Sequence, residues 1–481
     1  MSLNACELIL TFVAVLPAGP SGVEKIMERK PQFTQTGVRH ATINGHRFHL
    51  RLTDPTEENF LWIDGKSPPL VLDQIAAEFL GHLIDAMWSM QQGSGDESDG
   101  VKDYVIEKMY KQYGRPFAIG KARVTRARIR SDLDRIFGTL MAMAEGSCPL
   151  EEGLAMEEIH QEDWASPARM DMAVTYRCNL NCPHCYNGGP REMKELGQGD
   201  WIRIFETVWK EGISQVVFTG GEPLVREDIL MLVSEAEEFV TGMVTNGVLL
   251  GEKAEELQKA SLDYTQVTLE SLDAGVHNRM VGASFDAHVK TVSGIRKSLE
   301  LGMEVVTNTT LTSENVEQFS DTLKFGRDLG LTAMACNALI CSGRGRAAKL
   351  EDPLSLEALT EYLKKAVKTA KEIGINLQWY TPTCYHNLNP LDLGFGPKSC
   401  SAAAHNMTVQ PDGTVLPCQS WPESVGNILK DPWPDIWNHP VCVKLRNHEF
   451  GKEKAECSGC KDLPVCGGGC PLDIDRPGRE I

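Results

Sequence analysis

No uninterrupted apolar stretch in the 481 residues approaches the roughly 20 that a membrane-spanning helix requires, so no span is expected. Basic residues are in short supply: 48 Lys and Arg face 66 Asp and Glu, a formal net charge of −18. Such a balance opposes general binding to nucleic acid or to an anionic bilayer, because like charges repel at encounter. The apolar run Leu8-Ile9-Leu10-Thr11-Phe12-Val13-Ala14-Val15-Leu16 has no Lys or Arg before it, which argues against a secretory leader and for a buried strand or short helix. Cysteine is nearly missing from the first third, where only Cys6 and Cys148 occur; the other thirteen of the 15 follow residue 177. A long chain of this kind does not fit a small secreted disulfide scaffold. A reduced, cytoplasmic setting is expected, in which clustered cysteines more often bind metal.

What is present supports folded domains. Apolar residues make up 42% and charged residues 24% of the chain, enough for ordinary cores, and the length suggests about two to four domains. In residues 1–150, Phe48, Leu50 and Leu52 alternate with Arg47, His49 and Arg51, and Phe60-Leu61-Trp62-Ile63 follows a polar turn, the pattern of a hairpin or small sheet. Asp73 opens a helical pattern with Ile75, Phe79, Leu80, Leu83 and Met87 on one face; Gln92 to Gly100 reads as a flexible loop. Val105, Met109 and Tyr113, then Ile129, Leu133, Ile136, Phe137 and Leu140, mark two further helices. Strands followed by three helices make a small α+β domain. With the segment Leu72-Asp73-Gln74-Ile75-Ala76-Ala77-Glu78-Phe79-Leu80, the helix ending Tyr113-Gly114 and the helix over 131–143, this order resembles the PqqD-like peptide-recognition domain, a winged-helix-like fold. That resemblance implies a precursor's leader peptide bound by addition to a sheet edge. The basic run Lys121, Arg123, Arg126, Arg128 and Arg130 either faces an acidic leader or is a solvated helix face.

From Met170 to about residue 380 the rhythm is strand, loop, helix, repeated. Strands are expected at 172–176, 215–218, 243–245, 266–269, 305–309 and 332–338, with amphipathic helices between them, as in Trp201, Ile204, Phe205 and Val208 or Leu356, Leu359, Leu363 and Val367. Six alternations predict an α/β fold, a partial (β/α)6 TIM-type barrel over 166–380, with reactive groups at the C-terminal strand ends.

The first strand runs into Cys178-Asn179-Leu180-Asn181-Cys182-Pro183-His184-Cys185-Tyr186. Three thiolates on one loop suit three irons of a cubane and leave a fourth iron open; a zinc site would normally want a fourth protein ligand. The next strand end reads Phe218-Thr219-Gly220-Gly221-Glu222-Pro223-Leu224. Cys-x3-Cys-x2-Cys followed by Tyr, together with Gly-Gly-Glu, resembles the radical S-adenosylmethionine (SAM) superfamily. The resemblance implies a 4Fe–4S cluster on Cys178, Cys182 and Cys185, with Tyr186 beside it, and SAM cleaved reductively to a 5′-deoxyadenosyl radical. It implies SAM contacts from Gly220, Gly221 and Glu222, from Thr245 and Asn246, from Glu270 and Ser271, and from Asn308. Arg344, in Ser342-Gly343-Arg344-Gly345-Arg346, either nears SAM or belongs to a glycine turn.

The region 381–481 is cysteine-rich and lacks long helical periodicity. Cys457, Cys460, Cys466 and Cys470 alone would pass for a zinc ribbon. The larger pattern, Cys400-x12-Gly413-x4-Cys418, a gap, then Cys-x2-Cys-x5-Cys-x3-Cys, resembles the SPASM extension of radical SAM enzymes, which implies one or two auxiliary 4Fe–4S clusters. By that resemblance Cys400, Cys418 and Cys470 with Cys384 hold the first, and Cys457, Cys460 and Cys466 the second. The family's usual last cysteine has no counterpart before Ile481, so Asp473, Asp475 or water is the expected fourth ligand, unless the second site is degenerate. Cys6, Cys148, Cys336, Cys341 and Cys442 match no cluster position and are expected to be buried or inert thiols; for Cys336 and Cys341, near the end of strand six, a hydrogen-donor role is the lesser alternative. The combination implies a peptide maturase that takes electrons from a flavodoxin or ferredoxin and abstracts hydrogen from a ribosomally made precursor. A small-molecule substrate, as in haem-precursor decarboxylation, or maturation of a folded enzyme, is the alternative.

Overall fold

The computed structural model describes residues 165–473 continuously and, before them, 12–16, 37–43, 46–52, 59–63, 70–72, 74–91, 98–113, 125–145, 147 and 155–158. Cys6, Cys148, Asp73, Lys121, Arg123 and Asp475 lie outside the described residues. Two compact units divide the chain, Met1–His160 and Gln161–Ile481. Among the described residues no helix is long and apolar enough to cross a membrane.

The first unit carries strands β1 (Phe12–Leu16), β2 (Gly37–Ile43), β3 (His46–Leu52), β4 (Asn59–Ile63) and β5 (Leu70–Leu72), helices α1 (Gln74–Gln91), α2 (Ser98–Tyr113) and α3 (Arg126–Ala144), and strand β6 (Ala155–Glu158). The sheet order is β2-β3-β4-β5-β1-β6, antiparallel except where β1 runs parallel to β5. Phe48, Leu50 and Leu52 are buried with Leu61, Phe79, Leu80, Leu83, Val105, Met109, Leu133 and Ile136, so the period-two and helical patterns share one core. Two expectations are corrected. His49, which alternates with the apolar set as a polar residue, is itself 2% exposed and pairs in register with Trp62. Helix α2 also begins at Ser98, inside the segment read as loop, since Ser and Asp favour a helix start. Arg126 pairs with Glu107, Arg128 with Asp132 and Arg130 with Asp103, all at the surface. The described part of the basic run is therefore a solvated face neutralised by its own unit.

The second unit alternates strands and helices: β7 (Arg169–Thr175), α4 (Gln198–Lys210), β8 (Gln215–Gly220), α5 (Ile229–Glu235), β9 (Val240–Thr245), α6 (Leu250–Lys259), β10 (Tyr264–Thr268), α7 (Ala274–Met280), α8 (Ala287–Glu300), β11 (Glu304–Leu311), α9 (Phe319–Leu329), β12 (Ala333–Ala338), α10 (Gly345–Glu351), α11 (Leu356–Ile373) and β13 (Asn376–Trp379). Helix α4 buries Trp201, Ile204, Phe205 and Val208, the face its periodicity marks, each side chain contributing roughly 1.5–3 kcal/mol on burial. All six expected strands are present. The sheet is nonetheless larger: β13 adds in parallel beyond β12, and β14 (Asn406–Val409) adds in parallel beyond β7, followed by antiparallel β15 (Thr414–Leu416) and β16 (Gly426–Asn427). Its ten strands end at β13 and β16, an open barrel. The cysteine-rich tail thus extends the barrel sheet, because Met407 and Val409 bury in the same core as Met170 and Met172.

Candidate active site

The cysteine loop hangs from the end of β7, where the register to β8 shifts between Ala173 and Thr175; an irregularity of this kind re-aims the chain. Gly220, at φ +134°, and Gly221 follow on β8. A Cβ on Gly220 would stand 2.0 Å from the Thr175 carbonyl oxygen, and one on Gly221 2.3 Å from that of Arg177. The sequence suggests that these glycines admit SAM; in the structure they admit the backbone that carries the cysteines.

Glu222 is wholly buried. Its Oε1 accepts from the Leu224 amide at 3.0 Å and from Thr245 Oγ1 at 2.8 Å, and its Oε2 from the Asn246 amide at 2.7 Å. Burial pushes its carboxyl up to about 7, against these three hydrogen bonds. The carboxylate fastens the end of β9 to the end of β8. Asn246 in turn gives Nδ2 to Asn179 Oδ1 at 2.7 Å, beside Cys178 Sγ at 3.8 Å. Thr245 and Asn246 are thereby brought onto the cysteine loop.

Glu270 is 1% exposed; its Oε2 accepts from the Thr310 amide at 2.7 Å, and its Oε1 lies 3.2 Å from His184 Nε2. Burial lowers the imidazole's affinity for a proton, but the hydrogen bond and charge of Glu270 outweigh it and hold His184 above its ordinary value. His184 is a residue the sequence reading passed over, although it sits inside the cysteine motif. Ser271 Oγ donates to Gln318 Oε1 at 3.1 Å and accepts from the Asp273 amide at 3.0 Å, which commits it to the loop after β10. Asn308 gives Nδ2 to Asn337 Oδ1 at 2.8 Å, while its own Oδ1 is buried without a partner among the described residues. An acceptor so placed suits a ligand's amino or hydroxyl donor.

Arg344 does not stand free for a carboxylate. Its amide donates to the Cys185 carbonyl at 3.0 Å and its guanidinium to Gly188 O at 3.2 Å and Asn181 Oδ1 at 2.8 Å, so it clasps the cysteine loop. Gly343, at φ +53°, has the Gly188 nitrogen 2.4 Å from where a Cβ would sit. Tyr186 O–H donates to Gln419 Oε1, and Ser342 Oγ to the Ser420 carbonyl at 2.8 Å. The residue after Cys185 is thereby latched to the residue after Cys418. Gln419 was also missed, being 233 positions away in the chain.

The donor set suits cationic iron. Cys178, Cys182 and Cys185 are free thiols; burial pushes Cys178 up to about 11, Cys182 rises further, and each is raised again by its neighbours' charge. Three crowded thiolates conflict until positive metal offsets them. Cys400, Cys418 and Cys470 form a second set: burial pushes Cys418 to about 12 and raises Cys470 as well, with the charges of Cys400 and Cys418 adding to the rise at Cys470. Cys384 adjoins this set, since a Cβ on Gly469 would meet the Cys384 nitrogen at 2.7 Å and the Cys470 amide donates to Pro382 O at 3.0 Å. Cys457 and Cys466 converge on Gly468, whose amide donates to Cys466 Sγ at 3.3 Å and whose added Cβ would lie 3.5 Å from Cys457 Sγ. Cys460 follows one turn on, its amide donating to Cys457 O at 3.1 Å. Asp473, an expected ligand, is ion-paired with Lys349. Cys336 and Cys442 are wholly buried in the apolar core and Cys341 is 9% exposed, the buried setting expected of them.

Comparison with known proteins agrees with this geometry. Residues 172–326 match the radical SAM superfamily, and 400–461 match the SPASM iron–sulfur cluster-binding domain. The PqqA peptide cyclase of Granulibacter bethesdensis is 29% identical over 314 residues, 62% of this chain and 80% of that protein. The pre-heme d1 synthase of Dinoroseobacter shibae is 25% identical over 325 residues, 61% of this chain and 79% of that protein. Among solved structures, Streptococcus suis SuiB bound to its precursor peptide SuiA has a TM-score of 0.57 at 17% identity, over 90% of this chain and 96% of that one. The chain carries a radical SAM domain, with its SAM and 4Fe–4S cluster, joined to an iron–sulfur SPASM domain, and is an enzyme of the radical SAM class.

Proposed function

We propose that the protein modifies a ribosomally made precursor peptide. When bound, the 4Fe–4S cluster and SAM supply one-electron cleavage of the C5′–S bond and a carbon radical able to take hydrogen from substrate. The chain's own part is positional. Cys178, Cys182 and Cys185 hold the iron; Glu222 and Arg344 fix the loop that bears them; Asn246, Glu270 and Asn308 line the strand ends where SAM is held, with Ser271 and Thr245 bracing those ends. Cys384, Cys400, Cys418 and Cys470 hold one auxiliary cluster, and Cys457, Cys460 and Cys466 a second.

The observation that carries this reading is the joining of a radical SAM domain to a SPASM domain in a chain similar to the PqqA peptide cyclases; the Tyr186–Gln419 latch ties the cysteine loops of the two domains together. A peptide substrate is supported by the PqqA peptide cyclase relative. The SuiB likeness spans more of the chain than the second unit alone contains, which favours the first unit as the holder of a leader peptide. A flavodoxin or ferredoxin in the cytoplasm would supply electrons. The pre-heme d1 synthase relative favours a second reading, a small-molecule substrate.

Anaerobic reconstitution with iron and sulfide, followed by dithionite, should yield 5′-deoxyadenosine. Co-expression with a short open reading frame encoded beside the gene should change that peptide's mass. Nucleoside formation with every candidate peptide unaltered would favour the small-molecule reading.

A further inference from the structure

The second auxiliary set has a polar neighbour from outside the tail motif. His386 lies in the segment after β13, and its Nε2 stands 3.1 Å from Cys460 Sγ. The ring is exposed, at an open groove lined by Glu357, Thr360 and Glu361 of α11. A cysteine that holds iron is a thiolate with no proton to give, so in that state the imidazole must be the donor, with its proton on Nε2. The contact is then an N–H···S hydrogen bond to a charged acceptor, stronger than a neutral one. Asp473 is engaged by Lys349, and its amide bonds to the Cys470 carbonyl at 3.1 Å, which places it with the other thiol set. Hydrogen bonds to cluster sulfurs are among the factors that set reduction potential. A donor aimed at the thiolate favours the reduced, more negative state.

We propose that His386 is a positioning residue that donates a hydrogen bond to the Cys460 thiolate and raises the reduction potential of the cluster held by Cys457, Cys460 and Cys466. The inference rests on the reading that these three cysteines hold an iron–sulfur cluster. The step affected is the uptake of one electron from the flavodoxin- or ferredoxin-type reductant. No covalent bond forms or breaks, and the imidazole proton stays on nitrogen.

The test uses the full-length, anaerobically reconstituted protein. Iron and acid-labile sulfide are counted in wild type, in the Cys457→Ala/Cys460→Ala/Cys466→Ala variant, in His386→Phe, which keeps a planar ring without a donor, and in His386→Gln, which keeps an N–H. The paramagnetic signal lost in the triple variant is then followed through a redox titration. Expected are equal iron contents in wild type and both His386 variants. The midpoint in His386→Phe should be more negative by about tenfold in the reduction equilibrium, about 59 mV for one electron, and His386→Gln should stay near wild type. An unmoved midpoint in His386→Phe overturns the proposal. So does iron loss in both His386 variants together with strong nitrogen hyperfine coupling in wild type, which would make the imidazole a ligand. A triple variant with the full iron count removes the cluster reading, and the proposal with it.

Discussion

The two ends of the cysteine inventory are held in different ways. Around Cys178, Cys182 and Cys185, side chains from successive strand ends reach across the barrel mouth: Glu222 to Asn246, Asn246 to Asn179, Glu270 to Thr310. Around Cys457, Cys460 and Cys466 the contacts are mainly short-range turns and backbone amides, with Gly467, Gly468 and Gly469 all at positive φ and His386 a side chain that reaches in from earlier in the chain. The first loop is shaped by a sheet that exists without metal. The second has little apolar burial of its own, so bound iron should contribute much of its order. Preorganisation is therefore concentrated where SAM chemistry demands it.

The largest effect should come from the thiols. Replacing Cys178, Cys182 and Cys185 together by Ala should abolish 5′-deoxyadenosine formation while leaving thermal unfolding of the metal-free protein close to wild type. By contrast, chelating all iron should raise amide hydrogen exchange over 455–470 and leave β7 to β11 protected. Exchange that rises equally in both regions would end the distinction.

Glycines offer the next contrast. Gly220→Ala meets backbone at 2.0 Å at φ +134° and should cost more than about 3 kcal/mol in denaturant titration. Gly459→Ala, at φ +71° with nothing within 4 Å, should cost about 1 kcal/mol.

Acid should also act on the barrel. Burial, with neighbouring His288, lowers His277 to about 4 against a weaker opposite pull from Asp286. Its Nδ1 accepts from the Glu270 amide at 3.2 Å. The unfolded chain binds that proton more tightly, so the neutral ring's contribution is whole above pH 6.5 and is lost as pH falls toward 4. The loss amounts to as much as about 3 kcal/mol. His277→Gln should flatten this part of the stability profile without altering hydrogen exchange over 455–470 at neutral pH.

The smallest expected effect is at the latch. Tyr186→Phe removes one hydrogen bond and should cost about 1 kcal/mol, measured by urea unfolding of the metal-free protein. A double-mutant cycle with Gln419→Ala should show that the two losses are not additive.

The barrel strands and the cysteine motifs were legible because each is a local pattern: a period, a spacing, a run of glycines before Glu222. The extra strands were less so. Residues 406–409 are a short stretch whose place beside β7 is set more than 200 residues earlier, and 376–379, four residues just past the Gly374 stop of α11, is too short to show a period. His184, Gln419 and His386 escaped notice for a related reason. A single polar side chain has no periodicity, and its partner is chosen by which strand ends and loops converge.

The sequence by itself determined the inventory: three thiols on one loop, seven of the eight in the tail matched to auxiliary clusters, and the order of strands that would carry them. Covalent spacing is local, so it survives in the chain whether or not it is folded. Only the tertiary structure decided what the intervening residues do. It turned Gly220 and Gly221 toward the backbone of the cysteine loop, bound Glu222 to Asn246, clasped Arg344 on that loop, and left Asn308 Oδ1 without a partner among the described residues. Those outcomes depend on which strand ends meet, and packing of the apolar core against the sheet sets that meeting.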